Sequence, residues 1–273
     1  MSMFSPLVIA LFILVGSLAG FLAGLLGIGG GVILVPLFLW AFKVAGFPPD
    51  LIVHSAFGTS LAIIFPTAIS STFAHRKRGN VAWHQVLYLA AGSILGASTG
   101  AWLAAGLPGY VLKALFGLMQ IGVGLKMFLF HPHLPPEEGG DIPVFKLAAV
   151  GFIGGGFSAF FGIGGGVVAV PLMVIALRLP IHLAVGNSAA LIVVSSFFAA
   201  ISYVLLGWGQ TDAIAFSFGF VNLLVAALVA PLTILFARVG ARVAGHLDHD
   251  RLMKIFAVFL ILIGLRMAYV LFL

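Results

Sequence analysis

Cysteine is absent from the 273-residue sequence, and only 7% of its residues carry charge, against about 25% in an ordinary soluble domain. The first absence removes disulfides and thiolate metal sites and leaves the redox compartment open. The second excludes a water-soluble globule, because 62% of the residues are hydrophobic and so few charges cannot solvate its surface. Carboxylates are scarcer still. All seven, Asp50, Glu137, Glu138, Asp141, Asp212, Asp248 and Asp250, fall in or beside expected loops, so none is placed at mid-membrane depth to relay protons or ligate sodium. No Walker A sequence is present, so the chain has no means of its own to use ATP. No nucleophile within the apolar segments has both a base and an orienting acid, which argues against an intramembrane protease or transferase. His131-Pro132-His133 offers two histidines without further ligands, too few for a metal site, and no cofactor is expected.

What the sequence does have is apolar length. At ~20 residues per crossing it holds roughly ten membrane segments. They read as 4–26, 31–43, 51–74, 83–105 and 110–130, then 143–161, 166–178, 182–206, 212–237 and 251–272. Residues 4–15 lack a preceding positive residue and the apolar run continues beyond them, so a retained first helix is expected rather than a signal peptide. The net charge of +6 comes from short basic runs between apolar stretches, the pattern of cytoplasmic loops, and nucleic acid is not an expected partner.

Five segments precede the polar stretch 131–142 and five follow it, and the two halves resemble each other. Gly27-Ile28-Gly29-Gly30-Gly31-Val32 with Pro36-Leu37 recurs as Gly162-Ile163-Gly164-Gly165-Gly166-Val167 with Pro171-Leu172. His54-Ser55-Ala56-Phe57-Gly58-Thr59-Ser60 recurs as His182-Leu183-Ala184-Val185-Gly186-Asn187-Ser188, and Phe116, Gly124 and Lys126 match Phe256, Gly264 and Arg266. Three blocks in one order mark an internal repeat, 1–130 and 143–273, joined by a cytoplasmic linker.

Loop charge relates the halves. His75-Arg76-Lys77-Arg78 follows the third segment, whereas the matching Gly207-Trp208-Gly209-Gln210-Thr211 has no basic residue. Arg238, Arg242 and Arg251 surround the loop after the ninth segment, and its counterpart Gly106-Leu107-Pro108-Gly109 is bare. Matched loops thus face opposite sides, which five crossings per half permit. The expected fold is an all-α integral membrane protein of about ten helical segments in two inverted-topology repeats. With both termini outside, ten of the thirteen basic residues are cytoplasmic, and Lys43, Lys113 and Arg266 are not.

The second segment of each half, about a dozen residues, is too short to span ~30 Å of hydrocarbon. It follows a glycine run that favours broken backbone, and broken backbone at depth needs protein or water to satisfy its amides. A helix start there also presents free amides and a positive dipole end to an anion. Gly29, Gly30 and Gly31 with Gly164, Gly165 and Gly166 are therefore expected to approach one central site from opposite faces. Thr59, Ser60, Asn187 and Ser188 would add directional donors ~12 to 14 Å into the membrane. His54 and His182, nearer the entrances, could gate or couple protons.

Simpler readings exist for each. Glycine runs let helices pack closely, the reading preferred for Gly16-Gly20-Gly24 and Gly92-Gly96-Gly100. Membrane Ser and Thr commonly bond their own backbone. The histidines can anchor helix ends at the interface, and Pro36 and Pro171 can be helix-start prolines.

Gly24-Leu25-Leu26-Gly27-Ile28-Gly29-Gly30-Gly31, Val35-Pro36-Leu37 and their copies at 162–172 resemble the TauE/SafE sulfite exporter family across residues 5–272. The resemblance implies a bacterial or archaeal inner-membrane permease for sulfite, sulfoacetate or related organosulfonates. The expected partners are a small anion and the bilayer, with oligomeric state, including a homodimer, open. A membrane-embedded enzyme and an assembly subunit without transport activity are the other classes considered.

Overall fold

The structure, a computed structural model, describes residues 5–26, 30–129, 142–211, 214–244 and 249–269. Gly29 and all of the linker but residue 142 lie outside them. The first half builds α1 (Pro6–Leu26), α2 (Gly31–Val44), α3 (Ile52–Lys77), α4 (Trp83–Ala105) and α5 (Gly109–Leu129). The second builds α6 (Val144–Phe161), α7 (Gly166–Ile175), α8 (Ile181–Leu206), α9 (Leu223–Ala244) and α10 (His249–Ala268). Seven of these helices are long and apolar enough to cross a membrane, whereas α2 and α7 are short and apolar. The chain is an all-α, multi-pass membrane protein.

Two expected boundaries shift. The ninth segment begins at Leu223, not 212, because part of the intervening chain forms a hairpin of β1 (Ser217–Phe218) and β2 (Val221–Asn222). Its turn is made at Gly219, φ +52°, where any side chain would strike the backbone of Val204. Thr211 Oγ1 donates to the Gly219 carbonyl at 2.7 Å, and the Phe220 N–H donates to the Tyr203 carbonyl at 3.1 Å. Ile214, Phe220 and Val221 of this stretch are buried, whereas Phe216 and Phe218 are exposed, and their combined hydropathy imitated a longer helix. The seventh segment stops at Ile175, not 178: Pro180 holds Leu179 away from helical geometry, and Arg178 sits at φ +51°.

Glycine seams hold the bundle. A Cβ at Gly20 would meet the Thr233 backbone at 2.6 Å, and Gly16 and Gly24 lie likewise on Val229 and Ala237, so α1 and α9 run parallel. Gly92, Gly96 and Gly100 lie on Ala148, Phe152 and Gly156, which sets α4 parallel to α6. Both triplets serve the close packing read from sequence. Gly117 lies on Gly264 and Gly124 on Ala257, in antiparallel order. Gly58 meets Tyr203 while the Phe65 and Phe197 rings pair at 5.1 Å, so α3 and α8 are antiparallel as well. Parallel pairs α3–α9 and α4–α8 complete the set, through Thr59 with Asn222, Ser70 with Arg238, and Gln85 with Asn187.

Candidate functional site

Oppositely directed helices α1 and α6 end at the two glycine motifs, and the start of α2 meets the second motif inside the bundle. Gly31, the first residue of α2, is buried so tightly that a Cβ would fall onto the backbone of Ile163. Gly162 ends α6 at φ +68°, and Gly164 and Gly165 follow at φ +84° and +76°, left-handed conformations that side chains resist. Gly162 lies against Phe57 of α3, Gly164 against Ile64, and Gly165 against the Gly154 carbonyl and Ser158. Gly166 opens α7 with Ser188 Oγ 3.7 Å from its Cβ position. Gly30 differs: its φ of −69° is helical and its surroundings are open, the nearest atom to a Cβ being Leu34 Cδ1 at 3.4 Å.

Ser60 and Ser188 occupy matching places on α3 and α8, both are buried, and both hydroxyl oxygens lack a partner. In water a lone hydroxyl costs nothing, but a buried one left unmade costs about 1–3 kcal/mol, so such groups call for explanation. Thr59 and Asn187, one residue earlier, are already engaged. Thr59 Oγ1 accepts from the Asn222 N–H at 3.0 Å. Asn187 Oδ1 accepts from the Ala82 N–H at 2.8 Å, and its Nδ2 donates to Gln85 Oε1 at 2.8 Å. Each of these side chains therefore holds the start of the other half's fourth helix. The preceding glycines explain the closeness: Gly58 lies on the Phe220 carbonyl and Gly186 on that of Asn80, with no room for a Cβ.

The matched histidines part company. His54 is buried, with Nε2 3.3 Å from the Ala104 carbonyl and its ring stacked on Phe220 at 5.0 Å, whereas His182 is exposed at the start of α8.

Pro36 and Pro171 lie at the sixth position of α2 and α7, not at the helix start. Proline has no N–H, so the carbonyl four residues earlier loses its helical donor. In α2 that carbonyl is Val32, and Gln120 of α5 supplies the missing donor: Nε2 lies 3.1 Å from the Val32 oxygen, fully buried. Sequence reasoning missed Gln120, although an amide in an apolar segment is a legible signal. It also missed Gln85 and Asn222, whose roles depend on contacts between halves. Asn222 caps α9 through Oδ1, which accepts from the Val225 N–H at 3.0 Å. No cluster of metal-ligating side chains exists among the described residues.

The chain can be set beside known proteins. It is 31% identical to a probable membrane transporter protein of Haemophilus influenzae over 261 residues, covering 95% of this chain and 97% of that one. A probable membrane transporter protein of Methanocaldococcus jannaschii is 29% identical, with 96% of each chain covered, and one of Bacillus subtilis is 27% identical over 95% of this chain and 97% of its own. No solved structure matches. The family model for sulfite exporter TauE/SafE matches residues 12–267, from within α1 to the last turn of α10 and through both glycine breaks, and the chain belongs to that family of membrane transporters.

Proposed function

We propose that the protein exports small sulfur-containing anions, sulfite, sulfoacetate or related organosulfonates, across the inner membrane by alternating access at the meeting point of the two breaks. The observation that carries this reading is the convergence of two helix starts with two buried, unpartnered serine hydroxyls. Free amides and hydroxyls are donors suited to anionic oxygens. The family's description as sulfite exporters agrees with that chemistry. A potential negative inside favours anion exit by ~2.3 kcal/mol per charge per 100 mV.

The two halves, 1–130 and 143–273, are read as inverted repeats. Supporting this, α3 and α5 run antiparallel to α8 and α10, and the seam α1–α9 has its counterpart in α6–α4. The site comprises Gly30, Gly31, Ser60, Gly164, Gly165, Gly166 and Ser188, with Thr59 and Asn187 at its border. Gly29 belongs to it by sequence.

Thermal melting of the purified chain with sulfite, sulfate, sulfoacetate, taurine and chloride tests the reading. A saturable rise with one sulfur oxyanion or sulfonate is expected, lost in the Ser60→Ala/Ser188→Ala double variant. No shift with any anion would sink it.

Proton coupling, where transport shows it, is assigned to His54, which is buried among the halves, and not to His182. Transport into vesicles at a series of pH values should lose its pH dependence in His54→Gln and keep it in His182→Gln. An unaltered profile in His54→Gln removes that residue from coupling.

A further inference from the structure

Gln120 carries a second polar atom that its structural task leaves unused. Its amide orientation is set by Val32: turning Oε1 toward that carbonyl would oppose two acceptors, so Nε2 faces it and Oε1 points elsewhere. Oε1 is buried and has no partner. It is an acceptor, whereas the unpartnered Ser60 and Ser188 hydroxyls and the opening amides of α2 and α7 can all donate.

The location is the same convergence of breaks. Val32 follows Gly31, which touches Ile163. Phe116, one turn from Gln120 on α5, sets its ring 5.8 Å from that of Phe57 and 6.2 Å from that of Phe161. Phe57 lies on Gly162 and is one turn from Ser60, and Phe161 directly precedes Gly162. The face of α5 bearing Phe116 and Gln120 therefore looks onto both glycine motifs. The matching place on α10 holds Leu260, also buried, which has no polar atom. The site is thus symmetric in its serines and asymmetric in its acceptor.

A lone carbonyl oxygen repels a fully deprotonated oxyanion, and satisfying it requires a donor. We propose that Gln120 is a specificity-determining residue whose Oε1 accepts a hydrogen bond from an O–H or N–H carried by the transported anion itself, beside the anionic oxygens bound by the serines and helix starts. This rests on the anion reading above. The substrate class narrows to singly protonated oxyanions and to sulfonates bearing a hydroxyl or ammonium group, held in one orientation because only one half provides the acceptor.

Two ligands of equal size isolate the donor: 2-hydroxyethanesulfonate and propane-1-sulfonate, which has a methyl in place of the hydroxyl. Their dissociation constants are measured by calorimetry on the purified full-length chain. The hydroxyl compound is expected to bind about tenfold more tightly, since a buried acceptor left unpaired weakens binding by about that factor. Gln120→Leu, the side chain found at position 260, and Gln120→Met should bring the ratio to about one, whatever the loss of the bond to Val32 does to both affinities. A merely structural amide would lower both affinities together and leave the ratio unchanged. Equal binding by the unmodified protein, or a preference surviving in both variants, overturns the proposal. Binding of neither sulfonate alongside a melting shift with sulfite overturns it and leaves the anion reading standing; silence toward every anion overturns both.

Discussion

Gly31→Ala is expected to unfold or inactivate the protein, whereas Gly30→Ala, one residue away, should melt like the unmodified chain. At position 31 the added methyl group would occupy the space of the Ile163 backbone, and backbone cannot rotate aside as a side chain can. The breaks would have to separate. Overpacking of this kind costs about 1–3 kcal/mol and occasionally more, a large fraction of a typical fold's margin. At position 30 the φ of −69° accepts any L-residue, and the nearest atoms to a new Cβ, Leu34 Cδ1 at 3.4 Å and Ala23 Cβ at 4.0 Å, leave ordinary contact. The comparison is read from the yield of monodisperse protein in detergent, from thermal melting and from anion flux. Equal melting of both variants would mean that the two breaks do not touch in the folded protein.

The contrast between these neighbours also marks what a sequence can convey here. Segment existence was legible because apolar runs and glycine breaks are local signals, and most helix ends fall within a few residues of the expected ones. The Gly16-Gly20-Gly24 and Gly92-Gly96-Gly100 triplets announced close packing through their spacing of four, since one helix face then lacks side chains. The identity of the partner was not legible. That α1 lies along α9, and α4 along α6, is decided by complementarity between distant surfaces that no periodicity encodes. Two other features were hidden for the same reason. Residues 217–222 have the hydropathy of a membrane helix, yet form a hairpin docked on α8. Matched histidines look equivalent in the repeat, yet His54 is buried under the Phe220 turn and His182 is exposed, because the loop joining α8 to α9 is longer than the one joining α3 to α4.

Asn187→Ala and Thr59→Val should each weaken the fold by about 1–3 kcal/mol. Asn187 makes two part-buried bonds to the start of α4, and its loss removes the acceptor of the Ala82 N–H and the donor to Gln85. Thr59 makes one bond, to the Asn222 N–H, and valine keeps its shape. Both effects are read by chemical or thermal denaturation in detergent. Their consequence for transport follows from where they act: Asn187 lies near the start of α8 and Thr59 near the start of the antiparallel α3, so the two bonds fasten the halves toward opposite membrane faces. If the site alternates between those faces, loosening one fastening favours opening on that side alone, and a change of ~1.4 kcal/mol moves the population tenfold. The absence of native cysteine makes this measurable, because Ser60→Cys and Ser188→Cys would each introduce a unique thiol. Labelling by a membrane-impermeant reagent from either face should shift in opposite directions in Thr59→Val and Asn187→Ala. A shift of both toward the same face, or of neither, would rule out these bonds as the fastenings that alternate.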